Sequence, residues 1–230
     1  MLYLLIQALK GNVGFQEFIV YALSALVVIF LALPVHEFAH GFAATKLGDP
    51  TPKYSGRLSL NPFAHIDYFG AAAILLFGFG WAKPVGVNPR YFKNSKLGMA
   101  ITAFAGPFAN ILMAFISLLL FRLINVIFAA ILPQTILVLI LLFFYSFAEI
   151  NVGLAVFNLL PVPPLDGSKV LGIILPSRIY FKVMQYERYI SLVLLLLLYT
   201  GVLSVPLNFL ASNLLYGIAY LTMLPFKLFM

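Results

Sequence analysis

The sequence contains no cysteine. This absence excludes disulfide bridges, zinc sites built from thiolates and a cysteine nucleophile. Charged residues are scarce as well, since only 9% of the 230 residues are Asp, Glu, Lys or Arg, whereas soluble domains carry about 25%. So few charges cannot cover a globular surface in water. The hydrophobic content of 63% therefore indicates a chain that is solvated by a lipid bilayer.

Apolar runs predict the helices that cross this bilayer. A helix needs about 20 apolar residues to span the hydrocarbon core. The runs are Phe18–Ala44, Leu97–Phe121, Ile136–Leu159, Ile190–Ser204 and Leu207–Pro225. Ahead of them, residues 1–10 predict an interfacial or partly embedded stretch. The sequence thus predicts an all-α polytopic membrane protein with about five to six transmembrane helices, in which residues 1–230 form a single membrane domain.

One shorter run, Phe69–Ala82, decides the topology. As a helix it would be about 21 Å long, short of the roughly 30 Å core. If it is a re-entrant segment, which could be a β-hairpin, all but two of the 14 Lys and Arg residues lie on one face, with Lys10 and Arg122 on the other. This bias predicts that the basic face is cytoplasmic. Because the basic residues are spread over loops and form no dense run, they indicate topology and not nucleic acid binding.

The segment His36-Glu37-Phe38-Ala39-His40 lies in the first apolar run. On a helix, residues four apart share a face, so both imidazoles can bind one metal ion. Glu37 stands beside the first histidine, where it can act as the general base for a metal-bound water. A shuffled sequence of this composition contains H-E-x-x-H with a probability on the order of one in a thousand. The segment therefore predicts a metal centre on this helix.

A catalytic zinc site uses three protein ligands and keeps one position open for water. The candidates for the third ligand are Glu17, Asp49, His65, Asp67, Glu149, Asp166 and Glu187. Asp166 follows a proline-rich break, NLLPVPPLDG, where irregular backbone can line a cavity. The re-entrant topology places it at the same end of the membrane as His40. The segment alone also allows Asp166 to cap a helix over Lys169–Leu175, but beside the two histidines we favour the ligand.

Together, these two segments resemble the site-2 protease family of intramembrane zinc metalloproteases. Further segments resemble those of the short bacterial and archaeal members of this family. GRLSLNPFAHIDYFG at 56–70 and AKPVGVNP at 82–89 resemble their loops, and AGPFAN at 105–110 resembles their third conserved patch. The resemblance covers roughly residues 18–175. It implies one zinc ion per chain on His36, His40 and Asp166, with Glu37 as the base. It also implies a catalytic core over about 18–175, followed by C-terminal helices over about 188–226.

The resemblance further implies where the enzyme acts and on what. The active site is expected within the cell membrane near its cytoplasmic side, with transmembrane proteins as substrates. A polar group is expected near the scissile carbonyl, which makes Asn110 a candidate oxyanion donor, although a hydrogen bond between helices is the alternative. The roles of His65, Glu149 and Asn158 stay open at the level of sequence, as does the oligomeric state.

Two other functions would use some of the same residues. A transporter could carry protons or metal ions through the intramembrane His and Glu cluster. Transport sites, however, lie near the midplane and often between repeated halves, and no internal repeat is visible. A catalytically silent relative that binds membrane partners would tolerate the loss of Glu37, which is present. We therefore interpret the chain as a membrane metalloendopeptidase.

Overall fold

The computed structural model describes residues 7–12, 14–77 and 81–228. All regular structure in these residues is helical, and no strand occurs among them, which confirms the predicted all-α class. The helices are α1 (Phe15–Lys46), α2 (Tyr68–Phe77), α3 (Ser95–Phe128), α4 (Gln134–Asn158), α5 (Asp166–Ile174), α6 (Ser177–Gln185), α7 (Glu187–Tyr199) and α8 (Ser204–Met223). Short helical turns lie at Thr51–Tyr54, Pro62–His65, Pro89–Tyr91 and Leu224–Leu228.

Four helices are long and apolar enough to cross a membrane: α1, α3, α4, and α8 with its C-terminal turn, Ser204–Phe226. They match four of the predicted runs. The fifth run, Ile190–Ser204, lies mostly in α7, whose 13 residues span only about 20 Å. This helix ends at Tyr199 with Thr200 as its C-cap, and Gly201 follows with φ of 74°, a left-handed conformation that commonly terminates helices. The count of five to six spans therefore stays a prediction beyond these four.

The first long helix is not a regular α-helix throughout. It consists of α-helix Phe15–Val27, a π-helical turn Val28–Ala32 and α-helix Leu33–Lys46. Pro34 follows the π turn and has no N–H for the carbonyl four residues earlier, which helps to change the hydrogen-bond pattern here. The part of α1 after this turn packs against α3, and it carries both motif histidines.

The core lies where α3, α4 and α8 pack together. Its buried members are small or medium apolar residues, namely Ala114, Leu118, Ala148, Val152, Val156 and Ile218. Small residues let membrane helices approach closely. On the outer side of α3, by contrast, Phe108 is 54% exposed and Leu112 is 48% exposed. An apolar outer surface of this kind fits a surrounding of lipid.

The predicted re-entrant stretch begins as a helix. Residues 68–77 form α2, because a sequence rich in alanine and leucine favours helix; residues 78–80 of the stretch lie outside the described residues. The chain then continues as a segment without regular secondary structure, Trp81–Asn88. The Lys83 N–H donates to the His65 carbonyl at 2.8 Å, and Gly70 in α2 lies directly against the Trp81 backbone. The residues before α2 and those after it are thus in contact.

Candidate metal centre

Three predicted side chains meet at one point. The Nε2 atoms of His36 and His40 are 3.0 Å apart. Asp166 Oδ2 lies 3.3 Å from His36 Nε2 and 3.1 Å from His40 Nε2. All three side chains are buried, with relative exposures of 5%, 8% and 7%. The structure therefore brings together the residues that the two sequence segments supplied.

The local fold orients His40. Its Nδ1 lies 2.7 Å from the carbonyl oxygen of Thr102 on α3. A carbonyl oxygen can only accept a hydrogen bond, so Nδ1 carries the proton and the Nε2 lone pair is free for a metal ion. His36 Nδ1 is buried and has no hydrogen-bond partner among the described residues.

Asp166 is brought to the histidines by the break after α4. It is the first residue of α5, whose N-cap is Leu165, and its side chain makes no capping hydrogen bond. The capping role that the sequence allowed is therefore not seen. The next residue, Gly167, lies against the carbonyl oxygens of Leu159 and Leu160, where a Cβ atom would not fit. A glycine after Asp166 thus lets α5 start close to the end of α4.

The carboxylate of Asp166 is held in its ionised form. Burial alone would raise the pKa of this group. When Nε2 of His36 and His40 carries a proton in place of a metal ion, hydrogen bonds from both rings and the charges of His40 and Lys169 outweigh burial and bring the pKa of Asp166 well below its usual range. Lys169 Nζ lies 3.1 Å from Oδ1, the oxygen that points away from the histidines. Asp166 therefore offers a charged oxygen to the site at neutral pH.

The donor set fits a zinc ion. Donors that surround zinc tetrahedrally at about 2.0–2.1 Å stand about 3.3 Å from one another, close to the three separations of 3.0, 3.1 and 3.3 Å. No other group of three or more such side chains close enough to share a metal ion is found in the part of the chain that is described. Gly106 of α3 faces the Nε2 atoms of both histidines, and a Cβ atom there would collide with them. The space beside the donors is open because residue 106 has no side chain.

The donors line a cavity of about 530 Å³. Glu37 lies in its wall and is 9% exposed. Its Oε2 accepts a hydrogen bond of 3.0 Å from the Val85 N–H, so the segment Trp81–Asn88 touches the predicted base. The remaining wall is largely apolar, with Leu33, Trp81, Val87, Met99 and Phe157 among its residues. Such a cavity can hold a short piece of polypeptide beside the donors and Glu37.

Asn110 does not join this site in the structure. It is fully buried, both amide atoms lack a hydrogen-bond partner among the described residues, and it does not line the cavity. Asn158 does line the cavity, and its side chain donates to the Leu154 carbonyl.

Most of the other acidic and histidine candidates have structural partners elsewhere. Asp49 is fully buried and accepts from the N–H groups of Thr51 and Asn88. Asp67 accepts from the first turn of α2, and His65 is paired through Nε2 with the Ser59 carbonyl. Glu149 lies on the exposed side of α4, and Glu187 reaches the cavity wall.

Sequence reasoning missed three contributors to the site. Thr102 contributes a backbone carbonyl, Val85 a backbone N–H, and Lys169 an ammonium group at the second oxygen of Asp166. The first two carry no side-chain signal, because backbone groups can be placed only once the packing is known. Lys169 could have been suspected from its position three residues after Asp166 at the start of a helix.

Four apolar helices and a buried cluster of two histidines and one aspartate define a multi-pass membrane protein with a candidate metal centre. Comparison with known proteins assigns the family. The model of Peptidase family M50 matches residues 24–198, and the chain belongs to this family, the site-2 protease family that the motifs resemble. The chain is 38% identical over 196 residues to "Putative zinc metalloprotease YwhC" of Bacillus subtilis (strain 168), covering 80% of this chain and 86% of that protein. No solved structure matches the chain. The protein is thus a zinc metallopeptidase of the membrane.

Proposed function

We propose that this protein is an intramembrane endopeptidase that hydrolyses a peptide bond in or near a transmembrane segment of a membrane-protein substrate. The observation that carries the proposal is the meeting of His36, His40, Asp166 and Glu37 in one cavity, beside a helix that is long enough to span the bilayer. Ionisable groups at such a depth are costly and are kept for function.

The residues of the site have distinct roles in this reaction. His36, His40 and Asp166 hold one zinc ion, which when bound supplies Lewis acidity for the carbonyl and for the attacking water. Glu37 takes a proton from that water and then delivers it to the nitrogen that leaves. The Val85 N–H bond to Glu37 Oε2 orients the carboxylate and leaves its other oxygen for the proton. Asn110 has no role in this scheme, because the cavity does not reach it.

We place the active site near the cytoplasmic side. His36 is separated from Lys46 by about 15 Å of helix, so water can reach the site through a short polar path from the basic face. The contact between His65 and Lys83 supports a re-entrant course for the residues between them, because a single crossing would separate these two residues by the thickness of the bilayer. With that course, the basic loops share one face, which the positive-inside rule makes cytoplasmic.

The substrate has to expose its backbone before it can be cut, since a membrane helix hides its carbonyl groups in hydrogen bonds. The segment Trp81–Asn88 borders the cavity and touches Glu37, which makes it a suitable partner for the unwound strand. Lys83, Val85 and Asn88 already use their N–H groups within the protein, and Pro84 has none, so the substrate would pair with the backbone groups that remain.

Metal analysis of the purified protein tests the assignment and separates it from a transporter. We expect about one zinc per wild-type chain, and loss of zinc in His36→Ala, His40→Ala and Asp166→Ala. Glu149→Gln, a change of an acidic residue away from the site, is the control and should keep its zinc. The proposal would be overturned, and the transporter favoured, if the zinc-loaded protein carried zinc across vesicle membranes but did not cleave single-span peptides.

A further inference from the structure

We propose that Lys169 is a positioning residue of the metal centre. It occupies one oxygen of Asp166 and so leaves only the other oxygen to the metal. The inference rests on the proposed zinc site. It concerns a residue that takes no part in the reaction scheme above.

The two oxygens of Asp166 have separate partners. Oδ1 lies 3.1 Å from Lys169 Nζ, while Oδ2 lies 3.1 and 3.3 Å from the Nε2 atoms of His40 and His36. The aspartate is buried and Lys169 lines the same cavity. The ammonium group therefore determines how the carboxylate is rotated relative to the two imidazoles.

An ordinary helix ion pair explains this arrangement less well. Exposed ion pairs contribute little to stability, whereas here the carboxylate is buried and the lysine side chain is only 38% exposed. Lys169 is the fourth residue of α5, at the end of the helix where the macrodipole disfavours a cation. Helix stability alone thus gives little reason for a lysine at this position, and its contact with Asp166 gives a specific one.

The consequence for the metal is a lower coordination number. An aspartate whose two oxygens are both free can bind a metal ion through one or both of them. With Oδ1 held by Lys169, the site offers two imidazole nitrogens and a single carboxylate oxygen. A three-donor set leaves the open position that a catalytic zinc needs for water. Partners of ligands that act in this way typically change metal affinity about 10–100-fold.

Cobalt(II) binding to the purified full-length chain tests the proposal without any substrate. The variants are Lys169→Met and Lys169→Gln, which remove the charge, and Lys169→Arg, which keeps a donor. Affinity is measured by competition with a chelator, and coordination by the visible absorption of cobalt, which weakens as the coordination number rises. The control is Lys96→Met, because Lys96 donates to the Leu175 carbonyl just beyond α5 and its removal changes the net charge equally.

We expect Lys169→Met and Lys169→Gln to bind cobalt about 10–100-fold more weakly and with weaker absorption, while Lys169→Arg and Lys96→Met resemble the wild type. Wild-type affinity and absorption in the uncharged variants would overturn the role of Lys169 and leave the zinc site intact. An equal loss in Lys96→Met would also overturn it, since net charge would then be the cause. If the wild type itself bound no cobalt, the metal site and the inference would fail together.

Discussion

Gly106 is the residue that shows most directly how closely the helices pack around the donors. Its Cα faces the Nε2 atoms of His36 and His40, and a methyl group there would collide with both. His40 cannot easily turn away, because its Nδ1 is bound to the Thr102 carbonyl. A single added carbon at position 106 thus competes with the metal for the same space.

We predict that Gly106→Ala leaves the protein folded but without its zinc. The added methyl group should displace the imidazoles while alanine keeps the helix. Metal analysis and circular dichroism of the purified variant measure the two effects. Gly153→Ala is the matched control, because a Cβ atom at that position of α4 meets no atom within 4 Å. Full zinc occupancy in Gly106→Ala would contradict the assignment of this space to the metal.

At the scale of single residues, the sequence predicted the side chains of the site but not the backbone groups that contact them. His36, Glu37 and His40 could be predicted because their relation is set by one turn of helix. Asp166 needed a topological argument as well, since it lies far along the chain. The Thr102 carbonyl and the Val85 N–H could not be predicted, because every residue carries such groups and only packing selects among them.

At the scale of elements, the segment Trp81–Asn88 connects the site to the loops around it. Three of its backbone N–H groups are fixed: Lys83 to the His65 carbonyl, Val85 to Glu37, and Asn88 to the buried Asp49. Helix α2 approaches the start of the segment through Gly70. The position of Glu37 therefore depends on elements that contain no metal ligand.

We predict that Gly70→Ala lowers peptidase activity about 10- to 100-fold while the zinc content stays near that of the wild type. A methyl group on Gly70 would collide with the Trp81 backbone, so the segment has to move away from Glu37. Cleavage of a single-span peptide and metal analysis report the two quantities.

The matched control for this prediction is Gly217→Ala. This glycine lies in α8, away from the cavity, and a Cβ atom there meets no atom within 4 Å. Activity in Gly217→Ala should stay close to that of the wild type. Equal activity of Gly70→Ala and Gly217→Ala would show that the contact with Trp81 does not matter for Glu37.

Helices could be predicted where a long apolar run determines them. They were harder to predict where local backbone geometry determines where a helix ends or changes. The runs that became α1, α3, α4 and α8 were evident because about 20 apolar residues have few alternatives to a membrane helix. The run Ile190–Ser204 is interrupted by the left-handed Gly201, which hydropathy does not register. The π turn before the metal motif has no hydrophobic signature either.

The molecule as a whole has an asymmetry of charge that predicts its orientation. In the re-entrant arrangement, one face of the membrane carries nearly all of the basic residues. The contact between His65 and Lys83 supports that arrangement. The absence of cysteine makes the orientation easy to measure, because any introduced thiol is the only one in the chain.

We predict that Ile131→Cys reacts with a membrane-impermeant maleimide in intact cells, whereas Ser55→Cys, Lys93→Cys and Ser177→Cys react only after lysis. All four positions are exposed. The first lies between α3 and α4, and the others lie on the basic face, Ser177 at the start of α6. Labelling of Lys93→Cys from outside, with Ser55→Cys protected, would mean that the residues between them cross the membrane, and the proposed topology would be wrong.

The central claim is that this metallopeptidase cuts membrane proteins within or beside their transmembrane segments by means of Glu37. The most direct measurement compares protein termini in the membranes of cells that contain either the wild-type chain or Glu37→Gln, at equal levels and with equal zinc content. We predict new termini within or next to transmembrane segments in cells with the wild type and none of these in cells with Glu37→Gln. Identical sets of termini at identical abundance would contradict the claim.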